Sequence, residues 1–415
     1  MGKLISAVSC MAMMGAVSAA HAQSNVITLG SENSRAEGDD AQAAIAASGA
    51  GYFESAEPWR AAVDLALDRS KSASVAINGG IYGGVGIGLG RKTTANTGGG
   101  AYSVGGPSYI LVSGRENLGG GKSVFFKLES GFNAKTGATE SSTSFFNKQA
   151  YMGVQGPWGS LQAGRLYTPF FSTQALVADP SGSYALLSSS NIMETTGARL
   201  DNGFMYTLPG TTDVFAVKRS PGFAAAIAHY FSSNTGEGSA SKGSSNGLKM
   251  GWLSDDTRFR IEGAIHKQNT YTAGSVDNNK TSWIVGAFYD FNFGRVHLAY
   301  AASKRKNNLA DGATMEDFHE AMTGLNMPLG PGRLLVSAIR KVYRSSDPRG
   351  LKSRWQFGAN YDYPLSRRTK LMFGAVTNVN SGPNAEYAAN TSSYAGASAS
   401  AGRQAAVTIG MYHVF

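Results

Sequence analysis

The chain has 415 residues, among them 53 glycines, 18 tyrosines and 20 phenylalanines, and 37 Lys+Arg against 28 Asp+Glu give a net charge of +9. A single cysteine excludes a disulfide-stapled scaffold, and basic residues scattered without an aromatic-interleaved motif exclude a nucleic-acid partner. Beyond the first 22 residues no run approaches the ~18 apolar residues of a transmembrane helix; alternation punctuated by Gly, Asn, Ser and Asp reads instead as one large all-β unit.

In chain order, Met1 to Ala22 has the three parts of a secretory signal. Lys3 supplies the positive start, Leu4 to Ala20 a mostly apolar stretch, and Ala20-His21-Ala22 a small-x-small cleavage site. Cleavage would start the mature chain at Gln23 and remove Cys10, the only cysteine. Residues 23–73 form an N-terminal extension that is Ala-rich over Ala41 to Ala47. An amphipathic helix is predicted over Glu54 to Lys71, with Pro58 near its start and Trp59, Val63, Ala66 and Leu67 on one face. Lying upstream of the first strand, it belongs in the periplasm or enters a lumen from below, as a spacer or as a defined plug.

From residue 74 onward, period-2 segments predict about sixteen strands. They cover 74–90, 105–116, 121–133, 145–155, 158–168, 200–208, 222–232, 246–254, 257–268, 281–291, 294–304, 316–328, 332–345, 350–363, 369–379 and 402–415. The connections alternate in length: turns such as Gly156 to Gly159 are tight, while 91–104, 133–144, 233–245, 269–280 and 380–401 are long. Short turns at one rim and long loops at the other are the pattern of an outer-membrane β-barrel. Tyr and Trp near strand ends, including Tyr151, Trp158, Trp283, Tyr300 and Tyr361, suit interfacial girdles. Thr168 to Arg199 is long for a loop and mixes Phe170, Phe171, Leu176, Val177, Leu186 and Leu187 with Asp179 and Glu194. Such content fits a loop folded into the barrel against its wall, or a surface loop with a short helix.

Alternation also predicts which charges face the lumen. In 258–266, Phe259, Ile261 and Ile265 oppose Arg258, Arg260, Glu262 and His266; in 354–363, Trp355, Phe357, Tyr361 and Tyr363 oppose Arg354, Gln356, Asn360 and Asp362. Lumen-facing Lys127, Arg258, Arg260, Arg295, Arg354 and Lys370 outnumber Glu129, Glu262 and Asp362, which predicts anion preference that weakens as salt rises. The final strand sets Val407, Ile409, Met411 and Phe415 against Thr408, Gly410 and Tyr412. A barrel strand ends this way, and so does a soluble sheet edge.

Together these stretches resemble the trimeric, sixteen-stranded general porins of the Gram-negative outer membrane, in particular the beta-proteobacterial type, over roughly residues 74–415. The resemblance rests on Gly114-Arg115-Glu116-Asn117-Leu118-Gly119-Gly120-Gly121, Phe125-Phe126-Lys127-Leu128-Glu129-Ser130-Gly131-Phe132, Asn147-Lys148-Gln149-Ala150-Tyr151-Met152-Gly153-Val154 and Ala163-Gly164-Arg165-Leu166-Tyr167-Thr168-Pro169. It implies a homotrimer in outer-membrane lipid, needing no cofactor or metal, through whose water-filled pores small hydrophilic solutes and anions diffuse passively. It also implies an inward-folded third loop that forms the constriction with basic residues on the facing wall. Arg165 then matches a family arginine, Lys148 stands where arginine is usual, and Asp179 and Glu194 are the acids of the matching loop. Tyr109 replaces a residue that is often basic. The ending Gly410-Met411-Tyr412-His413-Val414-Phe415 resembles the signal read by the barrel-insertion machinery, with His413 where an aromatic is usual. Alternation alone puts Arg165 on the lipid side with Leu161 and Ala163, so an inward side chain needs a bulge, for which Gly164 is the place.

A substrate-selective channel for phosphate or carboxylates and a structural or adhesive barrel are the other channel-class and binding-class readings. An enzyme is not expected, because neither a Gly-x-Ser-x-Gly elbow nor a His-Glu-x-x-His motif is present.

Overall fold

Period-2 alternation gives each strand two chemically different sides, and antiparallel neighbours joined in sequence order remove their edges only by closing on themselves. The computed structural model describes residues 27–29, 73–90, 101–104, 108–182, 187–189, 193, 197–209, 221–231, 243–272, 276–348, 353–380 and 403–415. In chain order the strands are β1 (Ile27–Leu29), β2 (Ala73–Gly90), β3 (Ala101–Val104), β4 (Ser108–Gly119), β5 (Lys122–Phe132), β6 (Gln149–Gly156), β7 (Gly159–Tyr167), β8 (Arg199–Thr207) and β9 (Gly222–Tyr230). There follow β10 (Ser245–Leu253), β11 (Phe259–Thr272), β12 (Val276–Phe291), β13 (Gly294–Asn307), β14 (Ala313–Leu329), β15 (Gly332–Tyr343), β16 (Arg354–Pro364), β17 (Thr369–Asn380) and β18 (Arg403–Val414).

β2 and β4 to β18 form the wall, a closed sixteen-stranded antiparallel barrel in which β9 pairs with β10 and β18 returns to β2. Every predicted strand corresponds to one of these. The outer face carries exposed Val85, Phe204, Ile227, Ile265, Leu298 and Phe357, the apolar band that lipid requires. Tight turns lie at one rim. Between β4 and β5, three successive glycines, Gly119, Gly120 and Gly121, all have positive φ (80°, 59° and 72°), a path that side chains would oppose.

Three features differ from the sequence reading. The predicted long loop 269–280 is mostly wall, because β11 and β12 stay paired as far as Thr272↔Val276; polar residues there extend the hairpin above the apolar band. β3, inside the predicted loop 91–104, pairs with the upper half of β2. β1 pairs parallel with Val75–Ile77 of β2. There β2 continues below the end of β18, whose last pair is Val414↔Gly80, and would otherwise present unpaired backbone. The predicted signal and the predicted helix over 54–71 lie outside the described residues.

Candidate pore constriction

The chain leaving β7 turns into the lumen at Thr168-Pro169. Thr168 is an N-cap whose hydroxyl accepts from the Phe171 amide at 3.2 Å, and proline follows at the first helical position, where its missing N–H costs nothing. This starts a short helix α1 (Pro169–Thr173), which widens into one π-helical turn over Gln174–Ala178. Asp179 ends it. Its Oδ1 accepts from the Ser181 amide (2.8 Å) and hydroxyl (2.6 Å), and its Oδ2 from the Ser189 amide (2.6 Å). The loop's described acid is therefore turned into the loop's own backbone and buried there.

The loop lies on the inner wall in two apolar seats. Phe170, Ala178 and Met193 pack with Ala264, Ile284, Ala299, Ala301, Met322 and Ile339, while Leu187 packs with Tyr82, Tyr109, Leu111, Leu335, Met372 and Tyr412. Backbone carbonyls are satisfied by the wall: Val177 O bonds His297 Nδ1 at 2.8 Å, and Leu187 O accepts from Ser337 Oγ and Gln356 Nε2, both at 3.1 Å. Room for this close approach comes from inner-face glycines on every second strand. A Cβ on Gly247 (β10) would lie 2.8 Å from Pro169, on Gly286 (β12) 3.4 Å from Ala178, on Gly324 (β14) 2.6 Å from Pro180, and on Gly358 (β16) it would overlap Leu187. Together they make a track along which the loop backbone reaches the wall.

Charge clamps the start of the loop. Glu262 on β11 accepts from Thr173 Oγ1 at 2.5 Å, and it is bracketed by Arg260 Nη2 at 2.7 Å and Lys249 Nζ at 3.7 Å. Lys249 also donates to Ser172 Oγ at 2.9 Å. The same two-bases-to-one-acid arrangement recurs on the inner wall. Asp362 lies 2.6 Å from Lys370 and 3.9 Å from Arg333, and Glu316 faces both Lys280 (3.6 Å) and Arg305. Each such cluster keeps a net positive charge where walls of low dielectric focus the field.

The expected constriction residues are not gathered at one point. Lys148 lies in the bend before β6, free of strand alternation, and is buried with its ammonium 5.6 Å from the Tyr109 ring and 3.8 Å from Glu140. Tyr109 thus lies on the wall beside a base. Arg165 differs from the inward expectation. The register does slip between Gly164 and Leu166, but the additional residue is on β8, and Arg165 still stands opposite outer-face Ala150. Its guanidinium binds the Asn147 carbonyl (2.8 Å) and the exposed Asp201 carboxylate (2.6 Å). Glu194 lies outside the described residues.

Among the expected lumen charges, Lys127, Glu129, Arg260, Glu262, Arg295, Arg354 and Lys370 are buried on the inner side. Arg295 pairs with Asp290, and Arg354 donates to the Tyr343 hydroxyl at 2.9 Å. Arg258 is corrected: β11 begins at Phe259, two residues later than the predicted segment, leaving Arg258 exposed in the turn after Thr257, whose φ is +60°. At the C-terminus Gly410 faces inward beneath Tyr82, whereas Met411, His413 and Phe415 face out, His413 bonding Thr369 Oγ1 at 2.9 Å. Sequence reasoning passed over Lys249, Arg333 and Lys341, although alternation places Lys249 opposite Leu248, Met250 and Trp252. It also missed the glycine track, because glycines on strands far apart in sequence carry no mark of what will approach them.

A family model described as Gram-negative porin matches residues 7–384 of the chain. An outer membrane porin protein of Bordetella pertussis is 27% identical over 303 residues, which is 63% of this chain and 74% of that protein. The major outer membrane protein P.IB of Neisseria gonorrhoeae is 35% identical over 91 residues, 22% of this chain and 24% of that one. Among solved structures, the anion-selective porin from Comamonas acidovorans superposes with a TM-score of 0.65 at 19% identity, covering 83% of this chain and 100% of that one. A trimer form of Vibrio cholerae OmpT does so with 0.60 at 12% identity, covering 83% and 100%.

Proposed function

The chain belongs to the Gram-negative porin family and is an outer-membrane channel, and from that premise we propose that its pore passes small hydrophilic solutes passively and prefers anions. The observation that carries the preference is the inner wall itself, where Glu262, Asp362 and Glu316 are each bracketed by two bases. The loop acid Asp179 is spent on serine and backbone donors inside its own loop. A mobile anion entering a narrow aqueous lumen meets a positive potential, while a cation is penalised. The anion-selective porin of Comamonas acidovorans, which shares the fold, is consistent with this reading.

The constriction is proposed to lie between the inserted loop and the wall that carries Lys127, Lys148 and Tyr109. Arg165 acts from the loop-side end of β7 by holding Asn147 and Asp201. The working unit is a homotrimer, a reading supported by the trimer form of Vibrio cholerae OmpT. Export requires removal of residues 1–22, and the insertion machinery reads the exposed terminal Met411, His413 and Phe415. Planar-bilayer recording under a tenfold KCl gradient tests the selectivity. The expected reversal potential has the anion sign and shrinks toward zero as mean salt approaches 1 M, where screening acts over ~3 Å. A cation-signed potential would refute it.

A further inference from the structure

Beneath the inserted loop, on the short-turn side, the inner wall holds an arginine that its neighbours do not use. Arg333 on β15 stands opposite Asp362 on β16. Asp362 is already satisfied, because its Oδ1 accepts from Asn360 Nδ2 at 2.5 Å and its Oδ2 from Lys370 Nζ at 2.6 Å. Arg333 comes no closer than 3.9 Å to that carboxylate, and among the described residues its guanidinium donates no hydrogen bond. Across β14, Arg295 on β13 also faces the lumen. Asp290 takes its Nε and Nη2, and its Cζ lies 4.0 Å from the centre of the Phe288 ring, which leaves Nη1 outside that pair. Asn326 lies between the two arginines: it stands opposite Arg295, and two positions along β14 Pro328 stands opposite Arg333. The Asn326 side chain is buried at 1% exposure, and its Oδ1 has no hydrogen-bond partner among the described residues.

The loop roofs this stretch of wall. Pro180 approaches Gly324, two positions above Asn326 on the same face, and Leu187 packs with Leu335, which stands opposite Asn326. Asp179 in that loop turns its carboxylate onto Ser181 and Ser189. Buried polar groups are satisfied as a rule, yet here two guanidiniums feel each other's charge with a half-used amide between them. A half-turn of the Asn326 amide sets an NH2 where the Oδ1 stands, so the strip between the arginines can present donors alone. A spherical halide cannot use the planar fork of a guanidinium. A carboxylate or phosphate can, because two of its oxygens match two parallel N–H bonds.

We propose that Arg333, Asn326 and Arg295 form an exit-side binding site for the oxyanion group of a permeating solute, separate from the constriction that Lys127, Lys148 and Tyr109 face. The inference rests on the lumen being an anion-preferring aqueous pore. Arg333 grips two oxygens with its fork, Asn326 donates its amide, and Arg295, held by Asp290 over Phe288, supplies the second positive charge.

The test is planar-bilayer recording of the full chain, inserted from one side, in KCl at constant ionic strength with inorganic phosphate, acetate or further chloride added to one face. Phosphate or acetate on the short-turn side is expected to reduce the wild-type chloride current saturably, and the one acting at the lower concentration identifies the oxyanion. Arg333→Gln should raise the half-blocking concentration at least tenfold, the loss of one bidentate, charge-assisted contact, and Asn326→Ala should raise it less. Arg333→Lys keeps the charge without the fork and should behave like Arg333→Gln. Unchanged block in Arg333→Gln, wild-type block in Arg333→Lys, equal block from both faces, or no saturable effect beyond that of chloride would each overturn the site. The wild-type KCl reversal potential in the same membranes separates the two readings. A cation-signed value refutes the anion preference itself, whereas an anion-signed value without oxyanion block refutes the site alone.

Discussion

Filling the glycine track should unseat the inserted loop by an amount that can be ranked in advance. At Gly286 a Cβ would sit 3.4 Å from Ala178 N and Val177 Cγ1, which is tight but within reach of a small adjustment. At Gly324 it would lie 2.6 Å from Cγ and 2.8 Å from Cδ of Pro180. Those two atoms belong to one rigid ring, so the loop must retreat by about 1 Å. At Gly358 the new carbon would overlap Leu187 Cβ and stand 2.8 Å from its Cα, leaving no side-chain rotation as relief. Overpacking of this kind costs ~1–3 kcal/mol, whereas Gly→Ala in a strand otherwise returns up to about 1 kcal/mol of backbone entropy. Gly286→Ala should therefore be neutral. Gly324→Ala and Gly358→Ala should raise the unseated fraction of the loop about 5- to 150-fold.

The assay is the rate at which a charged thiol reagent modifies Ala175→Cys, buried in the π-helical turn of the loop itself, in a Cys10→Ser background, alongside single-channel current. If Gly286→Ala accelerated labelling as much as Gly358→Ala, or if neither Gly324→Ala nor Gly358→Ala changed it, the track would not be what seats the loop.

Two further outcomes follow from particular contacts. Glu262→Ala leaves Lys249 and Arg260 buried without their shared carboxylate and takes away the partner of Thr173; it should lower stability by about 3–5 kcal/mol, read by urea unfolding in detergent, and shift the bilayer reversal potential further toward anions. Deleting Phe415 removes the reciprocal 3.1 Å backbone bonds with Gly79 that seal β18 to β2, so the folded, heat-modifiable fraction in the outer membrane should fall while the mature channels that do form conduct normally.

Sequence alone determined the wall. Lipid outside and water inside impose a two-residue period on every strand, so the sixteen segments, the faces of Arg260, Glu262, Arg354 and Lys370, and the alternation of short turns with long loops were legible before any coordinates. Periodicity is local, and it fails where the chain leaves the strand geometry. Lys148 escapes it in a bend, Arg258 falls into a turn, and at Arg165 the bulge residue was supplied by the neighbouring strand, which no single-segment reading reveals. The composition of Thr168 to Arg199 suggested a loop able to pack on a wall. Where it lies, and that glycines 247, 286, 324 and 358 clear its path, depended on strands up to 190 positions away in sequence being brought to one height by the barrel's register. The same register brings Arg295, Asn326 and Arg333 together on the inner wall. Hydrophobic alternation fixes which side of the wall a residue faces; only the hydrogen-bonded stagger between strands fixes which residues it meets there.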